Sequence, residues 1–241
     1  MSSLVSPGER SGRKSDRSNR SRAAASIGGS TLRGSTLTAT LLAWTALSSP
    51  VREDWIEFLS PFRPCRADCA VSVFAGQLVK TSMYEIFITR HQAPWNWDWR
   101  SSYFVGGAAS REVVRFDRFA AIETEVGVGK RFGFLTEGEV WGAVYLRWKA
   151  FPWNDTIRTT IATSFGLNYA TDVPVFEKLR TMGPGSQLLH YLSPELTLGL
   201  PAYPDVDLIV RFHHRSGGNL AVFNRTGGGA QYGTMGLRVR F

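Results

Sequence analysis

Near the end of this 241-residue chain, the run Arg211-Phe-His-His-Arg-Ser-Gly-Gly218 sets an imidazole close to a hydroxyl. Side chains two positions apart on an extended strand point to the same side. His214 and Ser216 therefore share a face if this segment is a strand. A histidine beside a serine suits nucleophilic acyl transfer. The imidazole takes the hydroxyl proton, and the oxygen attacks an ester carbonyl. The backbone N–H groups of Gly217 and Gly218 could then receive the developing oxyanion. His-x-Ser is too short to carry this assignment alone, so its meaning depends on the elements that hold it.

Those elements are strands. From residue 70 onward, apolar and polar residues alternate with period two. In 232–241, Met235, Leu237, Val239 and Phe241 share one face, and Thr234, Gly236, Arg238 and Arg240 the other. In 138–149, Val140, Val144, Leu146 and Trp148 oppose Glu139, Tyr145, Arg147 and Lys149. In 118–131, Ile122, Val126 and Val128 oppose Glu123, Glu125 and Arg131. Segments 156–170, 188–200 and 205–216 repeat the pattern, and 70–79 and 99–110 follow it less cleanly. Eight strands of about ten residues are expected, the smallest number used by membrane barrels.

Alternation fits a soluble barrel or sandwich, and it fits a membrane barrel turned inside out. Three features favour the membrane. The polar faces carry both signs of charge, which could neutralise one another in a narrow lumen. Trp95, Trp97, Trp99, Trp148, Phe151 and Trp153 cluster at strand ends, where girdles lie. The connections alternate between long (80–98, 171–187, 217–230) and short (151–155, 201–204), with 132–137 the one short outer turn. The phase of Val206, Leu208, Val210 and Phe212 then carries His214 and Ser216 to the lipid side, at the outer end of the seventh strand.

The net charge of +8 suggests a nucleic-acid partner until its location is read. Residues 1–48 hold seven basic residues against Glu9 and Asp16, which accounts for +5. The apolar run Leu37–Leu47 followed by Ser48 reads as a secretory signal with a long basic lead. Residues 49–69 read as a short periplasmic or interfacial segment. Trp55, Phe58, Leu59 and Phe62 in it recur at helical spacing, either for a membrane-surface helix or for one packed on its own domain. Residues 70–241 form the expected barrel. Cys65 and Cys69 can pair or stay free, and two cysteines cannot build a four-thiolate zinc site.

On His214-Arg-Ser216 and the closing strand Gly236-Leu-Arg-Val-Arg-Phe241, the chain resembles the outer-membrane lipid A 3-O-deacylases (acyloxyacyl hydrolase family). The resemblance is local to about 205–241. It implies an eight-stranded outer-membrane barrel with a membrane-facing Ser/His pair, and lipid A or lipopolysaccharide of the outer leaflet as substrate. It implies Ser216 as nucleophile and His214 as base, and places the family's triad glutamate at Gln231. An amide there can orient an imidazole but cannot supply the negative charge. Where the family has asparagine after the serine, this chain has Gly217. Arg215, Arg225 and Arg180 are candidates for lipid A phosphates. No metal, cofactor or nucleic acid is expected, and a homodimer is left open. The alternatives are a noncatalytic barrel of the same fold and a soluble ligand-binding barrel.

Overall fold

A strand in hydrocarbon must have both edges paired, because no water is present to satisfy its backbone groups. The computed structural model describes residues 55–173 and 185–241. The signal-like segment 1–48 and Arg180 lie outside them. The strands, in chain order, are β1 Cys69–Val79, β2 Trp99–Phe116, β3 Ala120–Gly133, β4 Gly138–Trp148 and β5 Arg158–Ala170. They continue as β6 in two pieces, Leu188–Leu192 and Glu195–Gly199, then β7 Val206–Ser216 and β8 Gln231–Arg240. Each pairs antiparallel with the next. β8 closes the ring on β1, from Tyr232↔Leu78 to Arg240↔Ala70. The result is an all-β, eight-stranded antiparallel barrel.

The expected segment 188–200 is one strand interrupted at Ser193-Pro194. Proline has no N–H for the ladder, but its carbonyl still accepts from Phe212 N at 2.9 Å.

Burial is inverted relative to a soluble protein. Val126 (65%), Phe165 (72%) and Met235 (58%) stand exposed on the outside, while Arg131, Arg211 and Glu123 are at most 1% exposed inside. This is the pattern of a membrane-spanning barrel. Exposed Trp99, Tyr103, Phe132 and Phe134 mark one end of the wall, and Phe119, Trp148, Trp153 and Phe241 the other.

Over the described residues 56–68 the segment before β1 is not helical, which corrects the helical spacing read there. Residues Glu57–Phe58 form a short strand on the overhang of β2, paired with Arg115 and Val114. Pro61 and Pro64 disfavour a continuous helix, and Cys65 and Cys69 form a disulfide that closes a tight loop. Asp68 anchors this loop. It accepts from Arg66 N at 2.6 Å and from Arg111 Nε at 3.1 Å, with Arg63 Nε at 3.5 Å. Burial opposes ionisation of Asp68, but these donors and cations outweigh it and hold its carboxyl below the usual range.

The lumen is filled by a lattice of ions. Arg211 donates to both oxygens of Glu125 (2.9 and 2.6 Å) and to Glu195 (2.8 Å through Nε). Arg147 bridges Glu195 (2.7 Å) and Glu123 (2.8 and 3.0 Å), and Arg238 adds a bond to Glu123 at 3.0 Å. Above this, His213 lies against Glu139, accepts or donates with Tyr191 OH at 3.1 Å, and stacks on Phe104 at 4.5 Å. Arg131 pairs with the same Glu139. Gly127 makes room for the Trp141 ring, which a Cβ would strike.

Removing one partner from a buried ion pair strands the other charge, at a cost of about 3–5 kcal/mol. Arg211→Ala should lose about that much in urea unfolding from liposomes, and Arg211→Met with Glu125→Leu together should lose less. Asp68 should stabilise its loop above the unfolded aspartate pKa and cease to do so as pH falls through its lowered folded value. Limited proteolysis of 55–68 should therefore accelerate in acid, and Asp68→Asn should make it fast at every pH.

Candidate active site on the outer wall

The alternation on β7 places His214 and Ser216 on the outward face, both half-buried, at the end bounded by the long loops. Register sets their neighbours. His214 lies opposite Gln231 on β8 and Leu192 on β6, and Ser216 lies opposite His190 on β6.

Gln231 ties the imidazole to the loop above it. Its Nε2 donates to the carbonyl of Thr81. A carbonyl only accepts, so the amide nitrogen must face Thr81 and Oε1 must face His214. His214 Nδ1 lies 3.1 Å from that oxygen and therefore carries the proton. In a neutral imidazole that leaves Nε2 as the acceptor, the tautomer a general base needs. The expected neutral orienter is thus in contact with the expected base.

Loop 80–98 covers part of this wall. Phe212, placed outward by its phase, is only 4% exposed because Val79, Ile86, Met83 and Trp97 pack over it. Phe87 and Trp97 each meet its ring edge-on at 5.6 Å. Gly233 lies under the Trp99 and Trp97 rings, where a Cβ would be 2.7 Å from Trp99. Gln231 is consequently buried at 5% exposure. The pair is sheltered on the β8 side, and Ser216 and His190 lie on the other.

The remaining candidates are placed differently from the sequence reading. Gly217 N–H donates to Gly228 O and Gly218 N–H to Ser216 Oγ, each at 3.3 Å. Both candidate oxyanion donors are therefore already engaged, through long bonds that would have to open. Arg215 points into the lumen, fully buried, and its Nη2 donates to Ser186 O (3.0 Å) and Gln187 O (2.8 Å). It ties the ends of two loops together and faces away from lipid, because it is one residue out of phase with His214. Arg225 lies on the outer loop with backbone φ of 53°. Among the described residues, no group of three or more His, Cys, Asp or Glu could hold a metal.

Sequence reasoning reads His190, near a strand end, as structural and gives it no part in the site. Its ring packs on Phe165 at 4.5 Å, and its Nε2 is buried without a hydrogen-bond partner. Directly opposed strand residues have Cβ atoms about 4.5–5.5 Å apart, so the backbone brings His190 at least as near Ser216 as His214. Parity in 188–200 could have placed His190 outward, but only the pairing register sets it against Ser216.

No protein-family model and no curated protein matches this chain. Solved structures similar to it include a de novo designed transmembrane β-barrel, at 12% identity and TM-score 0.40, covering 77% of this chain and all of that one. Neisserial surface protein A is similar at 11% identity and TM-score 0.45, over 74% of this chain and all of its own. The outer membrane protein OprG from Pseudomonas aeruginosa is similar at 11% and 0.37, over 73% and 97%. The fold assignment rests on the closed strand ring and inverted burial of the chain itself.

The Gln231 bridge makes a spectroscopic prediction. In nitrogen-15 spectra of the folded chain, neutral His214 should populate a single Nδ1–H tautomer. Gln231→Ala should give a mixture of tautomers, and an unchanged tautomer would remove the orienting role.

Proposed function

We propose that this chain is an outer-membrane barrel carrying an esterase site on its outer wall, acting on an acyl ester of lipid A in the outer leaflet. The observation that carries the reading is the Gln231–His214 contact on the same outward face as Ser216. A lumenal His–Ser pair could reach only water-borne substrates. An outward pair at the aromatic rim meets the ester region of a lipid.

In this reading His214 and Ser216 share the work of acyl transfer. His214 Nε2 takes the Ser216 proton as Oγ attacks the ester carbonyl. The tetrahedral oxyanion draws on the N–H groups of Gly217 and Gly218 once their long bonds open. His214 then protonates the leaving alkoxide, and water hydrolyses the acyl-enzyme by the same steps. Gln231 holds the tautomer but leaves the imidazolium without a counter-charge. Triads whose acid is replaced by its amide lose about 10⁴ in turnover through the wrong tautomer. Here the amide is oriented to keep the right one, so the loss is smaller.

A second reading is a noncatalytic barrel of the same form. The engaged N–H groups of Gly217 and Gly218 favour it, since a ready oxyanion site would have free donors.

Mass spectrometry of lipid A from expressing cells separates the readings. Wild type should remove an acyl chain that Ser216→Ala and His214→Ala leave in place, and His190→Phe should still remove it. Gln231→Glu should raise turnover by about tenfold or more by adding the missing charge. Identical lipid A from wild type and Ser216→Ala would sink the enzymatic reading.

A further inference from the structure

At the end opposite the candidate active site, the lumen opens into a polar cavity of about 300 Å³. That is the lower end of the size range of small-molecule sites, about 300–1,000 Å³. Its floor is the Arg147–Glu123–Arg238 part of the ion lattice, which Glu195 extends further in. There, carboxylates and guanidiniums match.

At the mouth each buried carboxylate is shared. Buried Asp207 serves two guanidiniums, Arg158 at 2.6 Å and Arg240, and the exposed Asp205 also acts on Arg240. Glu112 alone, within the cavity, serves Lys149 and Arg115. Outside the cavity, Glu57 takes up the other side of Arg115 at 3.1 Å. Counting Glu57 against Arg115 and the exposed Asp205 against Arg240 balances the charges, so the mouth differs from the floor in how they are placed.

The charges are also layered. Asp207 is 1% exposed behind Arg158 and Arg240, whose side chains are 23% and 22% exposed. Glu112 is 11% exposed behind Lys149 at 25%. A solute entering the mouth therefore meets cations in front and carboxylates behind them. The surrounding wall strengthens that field, because low-dielectric walls focus it into the opening.

We propose that this vestibule is a binding site for a small soluble polyanion bearing phosphate or carboxylate oxygens. Lys149, Arg158 and Arg240 are its ligands, each able to offer a further N–H to an oxyanion while keeping its carboxylate partner. The site is separate from the outer wall and independent of any esterase activity there.

The test uses the full chain in detergent micelles. Inorganic pyrophosphate and citrate, titrated separately by calorimetry, distinguish phosphate from carboxylate preference. One-to-one binding that weakens with added salt is expected. Arg240→Gln should weaken it about tenfold, the loss of one charge-assisted hydrogen bond. Lys130→Gln, at the outer end of β3, should leave it unchanged. A gel-shift assay on unheated samples verifies folding of each variant. Should Arg240→Gln not fold, wild type still decides the matter. Pyrophosphate or citrate should protect Lys149 from an amine-reactive label, read by mass spectrometry. Absence of saturable binding to both anions, or equal labelling of Lys149 with and without them, would overturn the proposal.

Discussion

Glu125, Arg211 and Glu195 meet the constraint the rest of the barrel depends on, that every charge inside it must be paired. An eight-stranded ring leaves an interior wide enough only for side chains. Here lipid covers the outside, so the polar half of every strand must be accommodated within. A lone arginine in that space would carry a large desolvation penalty. Arg211 instead donates to two carboxylates from different strands, and Arg147 and Arg238 extend the same matching downward. Strands on opposite sides of the ring are thereby linked across the lumen. Registers that slip by one residue would throw these ions into hydrocarbon, so the lattice also specifies the register.

That rigid interior has a consequence on the outside. With alternation locked along β7, Arg211, His213 and Arg215 face inward, and Phe212, His214 and Ser216 must face outward. The neighbours β6 and β8 then deliver His190 opposite Ser216 and Gln231 opposite His214. The polar group on the wall is held by the same pairing that closes the barrel. Loop 80–98 completes it from above, using Phe212 as its anchor and Thr81 to orient the Gln231 amide.

The two ends of the lumen differ in where their charges stand. Toward the outer loops, Glu139 faces both Arg131 and His213, and aromatic rings fill the remaining space. Toward the opposite mouth, carboxylates are shared and cations face the opening. The first arrangement closes the barrel, and the second leaves a charged vestibule.

Much of this was legible in the chain itself. A period of two is a local property, so the strands, their lipid and lumen faces, the loop asymmetry and the shared side of His214 and Ser216 follow from the residues alone. The place of Gln231 came from the family resemblance over 205–241, and its parity agrees. The described stretch 56–68 was misread because aromatic spacing mimics a helix, while the pairing with the β2 overhang and the disulfide are contacts that form only in the folded chain. Only the tertiary structure decided what depends on register between strands: His190 opposite Ser216, Arg215 spent on loop carbonyls, the glycine N–H groups already engaged, and a loop laid over Phe212. Alternation determines which way a side chain points, but the residue it meets is set by how eight strands align around a closed ring.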